Sequence, residues 1–472
     1  MQEAKIFFGS TKATKEEITQ RKSPYSGEVV STAPICDADD AKKALQIAKD
    51  AAVFAKKSTL AQRCAWLLDV AQKLQEHKED LAKTITDEVG KPIAFSRLEV
   101  ERCIETVTLS AETMRTMNGE TINSDAMSSG KKTLGFFRRE PVGVVVAITP
   151  FNFPLNLAAH KLAPALVAGN AVVLKPTSEA PLTAYKFAKL FIESDYAIPD
   201  ALSVVYGDAE VGSVLITSDI PRVVSFTGSV PVGKIITKNA GIKKVSLELG
   251  GNAATFIEKS ADLAYAAAKC AMGAFVNSGQ VCISLQRIYV QEDIYDEFAE
   301  LMAEATKKLK VGSPYDDETF MGPLINDEAC ERAMGWVDSA IQEGAIPLTV
   351  LRLEGRTFHP CVMANVRDDM AIVCEEVFAP IVSLVKVDDF DDAVKRMNDS
   401  PYGLQFSVFT NDLSITNRAI DELDAGGVVI NDMPTLRFDI QPYGGVKSSG
   451  VGREGPPFTI EEMTEIKSIV IC

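Results

Sequence analysis

The sequence predicts an α/β protein in which a Rossmann-like parallel sheet is followed by a second α/β domain. From residue 141 the chain alternates short β-branched and apolar runs, beginning with VGVVVAI, with stretches long enough to form helices. Continuous apolar strands joined by helical crossovers are typical of a parallel sheet covered on both faces. A second series of this kind starts near residue 253 and includes QRIYVQ and GGVVIN. With 472 residues, 46% of them hydrophobic, the chain is long enough for two or three domains.

The chain before residue 119 predicts a layer of surface helices. The stretch DADDAKKALQIAKDAAVFAKK is rich in Ala and Lys, and apolar residues from Val100 to Met114 recur at the spacing of one helix face until Gly119 ends the pattern. Residues 120–140 lose this period and predict a polar hairpin with a Ser-Ser-Gly turn. The final run, EIKSIVIC, predicts a short strand with no later segment to pair with, and such an apolar edge favours a partner chain.

Charge and cysteine content narrow the class of protein. The chain carries 65 acidic and 49 basic residues, a formal net charge of −16, and no long basic run, which argues against nucleic acid or an anionic membrane as partner and favours a small molecule. Its nine cysteines include no CxxC pair and no histidine at ligand spacing, so we expect reduced thiols in the cytoplasm and neither a disulfide framework nor a metal site. We also expect neither export nor membrane spanning.

The stretch FTGSVPVGKII has the spacing of a phosphate-binding loop between Gly228 and Lys234. That loop needs Ser or Thr next, to hold magnesium, and Ile235 stands there, so a nucleotide hydrolase is not expected. A strand that ends in Thr-Gly-Ser before a helix still offers free backbone N–H groups and a positive helix end to a pyrophosphate. A glycine turn is also common between a strand and a helix that bind no ligand. A pyrophosphate site and a purely structural turn therefore both stay open here.

Three residues have side chains suited to catalysis, and each also has a structural interpretation. Cys282 follows the turn SGQ, which can expose its thiol at a cleft, although free cysteines are more often buried in a core. Glu248 ends a strand in an apolar, glycine-rich setting that would raise its pKa toward that of a usable base, or it is a solvated strand-end residue. Asn152 is the natural N-cap of a helix from Pro154 to Val167, or its amide points into the cleft and stabilises an oxyanion.

These stretches together resemble the NAD(P)-dependent aldehyde dehydrogenase superfamily. Six motifs occur in that family's order and approximate spacing between about Arg21 and Ile471, nearly the whole chain. They are PFNFPLNLAAHKLAPALVAGNAVVLKP, FTGS, LELGGN, GQVC, EEVFAP and YGGVKSSGVGREG. The resemblance implies an enzyme that oxidises an aldehyde to the free acid with NADP or NAD as cofactor and without a metal.

The resemblance implies a role for each matching residue. Cys282 takes the position of the catalytic thiol, Glu248 that of the general base, and Asn152 that of an oxyanion donor acting with the Cys282 backbone N–H. Lys175 and Glu376 match ligands of the two cofactor riboses. The positions that match cofactor contacts are Thr149, Phe151, Lys175, Ser178, Thr227, Gly228, Ser229, Gly233, Glu376 and Phe378.

The choice between NAD and NADP is predicted from Ser178, the third residue after Lys175. Relatives that prefer NAD often carry a glutamate there, which binds the adenosine ribose hydroxyls and repels a 2′-phosphate. A neutral serine removes that charge and can donate a hydrogen bond to phosphate, so we expect NADP to be accepted at least as well as NAD. Glu179, the next residue, is a charge that acts in the opposite direction.

The substrate is predicted from Arg437 in MPTLRFDIQPYGGVKSSG, with Arg102 as a second candidate. A similar Arg-x-Asp occurs in relatives acting on lactaldehyde, glyceraldehyde phosphate and other small polar aldehydes, and a guanidinium suits bidentate anchoring of an anion. Alternatively, Arg437 pairs with Asp439 or Asp432 and only orders the loop. Val281, not a second arginine, precedes the nucleophile, which favours a small anion or hydroxyaldehyde over a phosphate ester.

Two other functions are compatible with the same fold. One is a CoA-acylating semialdehyde dehydrogenase, whose members usually lack the glutamate base found here as Glu248. The other is a non-catalytic, crystallin-like structural protein, which need not keep both Cys282 and Glu248. Because both side chains are present, the hydrolytic dehydrogenase is favoured.

The resemblance also suggests how the chain is divided and assembled. We expect a discontinuous cofactor-binding domain of residues 1–119 and 141–249, a catalytic domain of residues 250–447, and an oligomerisation segment of residues 120–140 and 448–472. The hairpin and the terminal strand suggest strand exchange into a homodimer or homotetramer.

Overall fold

The structure is a computed structural model that describes residues 2–472, and its first half contains the predicted helical layer and the predicted parallel strands. The helices are α1 (Ala38–Lys57), α2 (Leu60–Glu76), α3 (Lys78–Val89), α4 (Ile93–Thr116), α5 (Asn156–Ala168), α6 (Pro181–Ile192), α7 (Ala209–Thr217) and α8 (Val230–Asn239). The strands are β1 (Gln2–Glu3), β2 (Ile6–Phe8), β3 (Thr11–Ala13), β4 (Ile18–Lys22), β5 (Val29–Pro34), β6 (Glu120–Asn123), β7 (Leu134–Pro141), β8 (Val144–Ile148), β9 (Ala171–Lys175), β10 (Leu202–Val204), β11 (Val223–Thr227) and β12 (Lys244–Glu248).

The second half again alternates strands and helices. Its helices are α9 (Leu263–Phe275), α10 (Tyr295–Lys307), α11 (Asp327–Gln342), α12 (Ala371–Cys374), α13 (Phe390–Asn398), α14 (Leu413–Glu422) and α15 (Pro456–Glu462). Its strands are β13 (Ala253–Ile257), β14 (Leu285–Gln291), β15 (Ile346–Pro347), β16 (Leu353–Glu354), β17 (Thr357–Phe358), β18 (Cys361–Ala364), β19 (Ile381–Val387), β20 (Tyr402–Gly403), β21 (Gln405–Phe409), β22 (Gly427–Ile430), β23 (Val446–Lys447), β24 (Gly450–Val451) and β25 (Thr464–Ile471).

Two large sheets confirm the predicted α/β class. The first has the order β24-β12-β11-β8-β9-β10-β2-β3, and its centre from β12 to β10 is parallel. The second has the order β15-β18-β19-β14-β13-β21-β22 and is parallel from β18 to β22. Each apolar run predicted for the first sheet contains an observed strand, because strands buried on both faces have no polar residue to interrupt them.

Helices cover the first sheet and form one core with it. Every residue of α5 is buried, including the polar residues Asn156, His160 and Lys161. On α4 the buried face includes Val100, Val107 and Met114, whereas Ile104 is only partly buried and Cys103 occupies the buried face beside it. Asp37 caps α1 with a capping box, which fixes where the helical layer begins.

The terminal strand has a partner within its own chain, which corrects the expectation that it lacks one. β25 pairs antiparallel with β7 along its whole length, and β7 also pairs with β6, so that the hairpin and the terminus form one three-stranded sheet. The partner was missed because it lies more than 300 residues earlier in the chain. The other edge of β25 lies at the margin of the sheet, and Ile466, Val470 and Ile471 are exposed there.

Among residues 2–472, none of the helices has the length and apolar character needed to cross a membrane.

Candidate active site

A cavity of about 530 Å³ collects most of the predicted site residues from both halves of the chain. It lies where the carboxyl ends of β8, β11 and β12 meet the loop that precedes β14. The predicted residues that line it are Arg102, Phe151, Asn152, Thr227, Gly228, Ser229, Glu248, Cys282, Glu376, Phe378 and Arg437. Four predicted cofactor residues do not line this cavity, namely Thr149, Lys175, Ser178 and Gly233.

Cys282 reaches the cavity because the turn before it is left-handed. Asn277, Ser278 and Gly279 have φ of 51°, 58° and 70°, and a non-glycine residue in this region costs about 1 kcal/mol or more. The turn is anchored by the Ser278 hydroxyl, which donates to the Gly322 carbonyl at 2.8 Å. Cys282 is partly exposed and lines the cavity, unlike Cys270, which is buried in a core cluster. Its position therefore differs from that of a core thiol.

The Cys282 thiol lies in a mostly apolar environment with one hydrogen-bonding neighbour. Its Sγ is 2.9 Å from the Tyr443 hydroxyl. Burial raises the pKa of the thiol to about 12, while the Tyr443 hydrogen bond and the positive charge of Arg437 act to lower it. These two neighbours are the groups around the thiol that favour its ionised form.

Asn152 does not cap a helix, so its structural interpretation is wrong. Its Oδ1 accepts a hydrogen bond from the Phe153 N–H at 3.1 Å, and α5 begins only at Asn156, later than the predicted start at Pro154. Its Nδ2 donates to the Gln280 carbonyl at 3.0 Å, which holds the amide against the Cys282 loop. An amide nitrogen has two hydrogens, so one remains to donate into the cavity.

The start of α5 is capped from another helix instead. Glu99 on α4 accepts hydrogen bonds at Oε1 from the backbone N–H groups of Leu155 and Asn156, at 2.9 and 3.1 Å. Its other oxygen pairs with the buried Lys91, whose Nζ lies 3.8 Å from the centroid of the Phe153 ring. These contacts hold the segment that carries Asn152, and no local sequence signal pointed to them.

Glu248 is the last residue of β12 and its carboxyl group is desolvated. Both carboxylate oxygens are buried and have no hydrogen-bond partner in the described chain. Burial, followed by the negative charge of Glu454, raises the pKa of Glu248 well above its ordinary value, whereas Arg437 and Lys161 lower it. A carboxyl group in this environment can take a proton from water near neutral pH.

The link between the halves, residues 249–252, lies close to Glu248, Cys282 and Glu376. Gly251 donates its N–H to Glu376 Oε1 at 3.0 Å, and a Cβ at Gly250 would collide with the Glu376 carboxylate. A Cβ at Gly251 would collide with the Cys282 carbonyl oxygen. A glycine is therefore needed at 251, where the clash is with backbone, whereas a side chain at 250 would displace the Glu376 carboxylate. Burial raises the pKa of Glu376 to about 7.

The residues present fit a nicotinamide dinucleotide. Ser229 is the N-cap of α8 but makes no side-chain capping bond, so the first turn of α8 keeps N–H groups for a pyrophosphate. Gly228 has no room for a Cβ because the Phe226 ring lies against it. Phe151 and Phe378 meet edge to face with centroids 6.0 Å apart and line the cavity.

The predicted residues outside the cavity lie around the carboxyl end of β9. Lys175 is its last residue, and burial lowers the pKa of its side chain. Ser178 is exposed in the loop between β9 and α6. Glu179 forms an ion pair with Arg21, so its charge is offset within the protein. Lys175, Ser178 and the ion-paired Glu179 therefore lie near one another in sequence at this end of β9.

A group of charged residues, most of them buried, lies around Arg437, and half of its members were not foreseen from the sequence. This group, the Arg437 cluster, consists of Arg102, His160, Lys161, Arg437, Asp439 and Glu454. It contains three cationic side chains and two carboxylates, and burial lowers the pKa of His160, which favours the neutral imidazole. The cluster therefore carries a net positive charge.

Arg437 itself is only loosely paired. Its contacts are 3.3 Å to Glu454 and 3.5 Å to Asp439, longer than usual for charge-assisted bonds, and its Nε is buried without a hydrogen-bond partner. The expected alternative, pairing with Asp439 or Asp432, is met only by the long Asp439 contact, because Asp432 pairs with Lys269. Arg102 differs, since it holds Asp439 through two bonds of 2.7 and 3.0 Å.

The other members of the cluster were missed although they lie inside quoted motifs. Lys161 pairs with Glu454 at 2.7 Å, and both side chains are almost fully buried. Burial alone would raise the pKa of Glu454, but the positive charges of Lys161 and Arg437 lower it to about 2. These partners lie nearly 300 residues apart in sequence, so only the fold brings them together.

Comparisons of the sequence and of the structure with known proteins both find aldehyde dehydrogenases. The sequence model of the aldehyde dehydrogenase family matches residues 10–469. A 3-sulfolactaldehyde dehydrogenase of Priestia aryabhattai is 42% identical over 465 residues, 98% of this chain and 96% of that protein. Aldehyde dehydrogenase 21 from Physcomitrella patens, solved with the reaction product succinate, has a TM-score of 0.96 and 35% identity and covers 100% of this chain and 98% of its own. An NADP-dependent glyceraldehyde-3-phosphate dehydrogenase from Bacillus halodurans, complexed with NADP, has a TM-score of 0.96 and 33% identity over 99% of each chain.

Proposed function

Since the chain belongs to the aldehyde dehydrogenase family, we propose that it oxidises a small anionic or hydroxylated aldehyde to the free acid through a thioester on Cys282. NAD(P) is the cofactor of this reaction. The observation that carries the substrate class is Arg437, which lines the cavity, makes only long contacts to Glu454 and Asp439, and belongs to a cluster of net positive charge. A relative named for 3-sulfolactaldehyde and a solved relative holding succinate support an anionic substrate.

The acylation half of the reaction uses Cys282 and Asn152. The thiolate attacks the aldehyde carbon, an S–C bond forms, and the carbonyl π electrons move to oxygen. The Asn152 Nδ2 and the Cys282 backbone N–H are the donors assigned to that oxygen. Bound NAD(P) supplies the hydride acceptor that turns the adduct into a thioester. The first turn of α8, Lys175 and Glu376 would hold the cofactor.

The deacylation half uses Glu248. Its carboxylate takes a proton from water, the hydroxide oxygen attacks the thioester carbon, and the C–S bond breaks to release the acid and the Cys282 thiolate. Both oxygens of Glu248 are free for this task, because the described chain provides them with no hydrogen-bond donor. A carboxylate base also argues against transfer of the acyl group to CoA.

A panel of aldehydes tests the substrate class. We expect kcat/KM for a short anionic aldehyde, such as succinate semialdehyde, to exceed that for a neutral aldehyde of equal length by at least about tenfold. The product should be the free acid, and addition of CoA should leave the rate unchanged. A preference for the neutral aldehyde would contradict the assignment.

The same panel run with both cofactors tests the role of Ser178. We propose that NADP is accepted at least as well as NAD, because the serine is exposed beside β9 and Glu179 is paired with Arg21. A kcat/KM with NAD more than about a hundredfold above that with NADP would overturn this proposal.

We further propose the following division and assembly of the chain. Residues 1–119 with 141–249 form the cofactor-binding domain, and residues 250–447 form the catalytic domain, which is supported by the separate hydrophobic clusters around the two large sheets. Residues 120–140 with 448–472 form the oligomerisation segment of a homodimer or homotetramer, supported by the open edge of β25. The nine free cysteines fit a cytoplasmic protein.

A further inference from the structure

Tyr443 is a residue in contact with the nucleophile that no part of the proposed mechanism uses. Its ring is buried and lines the cavity, and its hydroxyl lies 2.9 Å from Cys282 Sγ. An O–H group at this distance can donate to a thiolate, which has no hydrogen of its own to give. Once Cys282 ionises, Tyr443 must therefore be the donor in this hydrogen bond.

The position of the Tyr443 hydroxyl is fixed by its backbone. Tyr443 and Glu454 exchange two backbone hydrogen bonds, of 3.0 and 2.6 Å, in an isolated antiparallel bridge. The Glu454 side chain is in turn held by Lys161 at 2.7 Å. The hydroxyl therefore meets Sγ without a loop having to be ordered first, which lowers the entropic cost of the contact.

Arg437 makes this hydroxyl a stronger donor. The guanidinium carbon lies 3.7 Å from the centroid of the Tyr443 ring, within the range of a cation–π contact. Burial raises the pKa of Tyr443 well above its ordinary value, and so does the neighbouring Cys282, whereas the Arg437 charge lowers it. A cation above the ring draws electron density from the phenol oxygen and so strengthens its O–H as a donor.

We propose that Tyr443 is a catalytic residue that stabilises the Cys282 thiolate by donating a hydrogen bond to Sγ. The thiol proton leaves to water, and Tyr443 keeps its own proton throughout. This proposal rests on the assignment of Cys282 as the nucleophile. The other charged groups that face the thiol are Arg437, which favours the thiolate, and Glu376 and Glu248, which oppose it when ionised.

The proposal predicts how loss of the Tyr443 hydroxyl changes kcat/KM at different pH values. A hydrogen bond to the thiolate increases the fraction that is ionised but lowers the nucleophilicity of each thiolate. Tyr443→Phe should therefore reduce kcat/KM at low and neutral pH, and on the high-pH plateau kcat/KM should be no lower than in the wild type. A tyrosine that only filled space would lower the rate at every pH.

The direct test is the rate of Cys282 alkylation by iodoacetamide as a function of pH, measured on the Cys282 peptide by mass spectrometry. For Tyr443→Phe we expect the apparent pKa of Cys282 to rise by at least about one unit, which means about tenfold less thiolate and, because each thiolate is more nucleophilic, about threefold slower alkylation at neutral pH. The matched control is Tyr289→Phe, because Tyr289 is equally buried but its hydroxyl bonds to Arg287, and it should leave that pKa unchanged. An unchanged or lower pKa in Tyr443→Phe would overturn the proposal.

A second variant covers the case in which Tyr443→Phe does not fold. Replacing Tyr443 by 3-fluorotyrosine keeps its shape and makes the hydroxyl a stronger donor, so the pKa of Cys282 should fall, and a rise would refute the proposal. Alkylation needs no turnover, so it tests Tyr443 separately from the proposed function. The latter fails if Cys282→Ser retains aldehyde oxidation, whatever the alkylation experiment shows.

Discussion

Replacing Arg437 by alanine should change which aldehydes the enzyme prefers. The guanidinium lines the cavity, its side chain is 10% exposed, and its Nε has no hydrogen-bond partner. A substrate carboxylate or sulfonate bound there would be sheltered from water and would receive N–H groups that the protein leaves unused. A neutral aldehyde of the same length gains nothing from them.

The magnitude follows from the kind of hydrogen bond. A bond to a charged group contributes about 1.5 to 3 kcal/mol, which corresponds to about 10- to 150-fold in the ratio of kcat/KM for the anionic and neutral substrates. The ratio is needed because the charge of Arg437 also lowers the pKa of Glu248. Its removal should raise that pKa further and slow deacylation of both substrates at neutral pH, and this common effect cancels in the ratio.

The assay compares succinate semialdehyde with a neutral aliphatic aldehyde under initial-rate conditions at saturating cofactor. Arg102→Ala is the comparison variant, because it removes the same charge from the same cavity, but from a guanidinium already bound twice to Asp439. We expect it to change the ratio by less than about threefold. Equal losses on both substrates in Arg437→Ala would show that Arg437 supports the loop and does not bind the substrate.

The remaining predictions concern the two catalytic side chains and the terminal sheet. Cys282→Ser should reduce turnover below about one hundredth of wild type while cofactor binding, measured by fluorescence titration, is retained, because an alkoxide forms far less readily than a thiolate. Glu248→Gln should retain a pre-steady-state burst of reduced cofactor and lose steady-state turnover; loss of the burst would give Glu248 another role. In the wild type, deacylation should rise with pH as the buried Glu248 loses its proton, since the carboxylate is the active form and its pKa is raised, and single-turnover rates in Glu248→Gln should lack this dependence. Deletion of residues 464–472 should abolish the oligomer in light scattering, and a monomeric full-length protein would contradict the proposed assembly.

Local patterns in the sequence predicted the strands well. Runs such as the one around β8 and the one around β11 contain the observed strands, because a strand buried on both faces consists mostly of apolar residues. The pairing of β25 was predicted wrongly, because pairing depends on the topology of the chain and β7 lies far from it in sequence.

The candidate site was predictable only where a motif names its residues. Cys282, Glu248 and Asn152 lie in the cavity where the motifs led us to expect them. The capping role given to Asn152 was wrong because Glu99, on a different helix, supplies the acceptor that α5 needs. The Arg437 cluster could not be predicted either, since its ion pairs join residues from distant parts of the chain and each member alone has the appearance of an ordinary charged residue.

The glycine link at 250–251 has a consequence for how the enzyme responds to change. The backbone of Gly251 bonds to the carboxylate of Glu376 and lies against the carbonyl of Cys282, and it is three residues after Glu248. The distances among these three groups are therefore set by a few backbone atoms and not by three independent side-chain rotamers. A distortion of this link should alter cofactor affinity, thiol reactivity and hydrolysis together. Adaptation to a new aldehyde is consequently easier through cavity-lining side chains outside this link, because these can be exchanged without distorting its backbone.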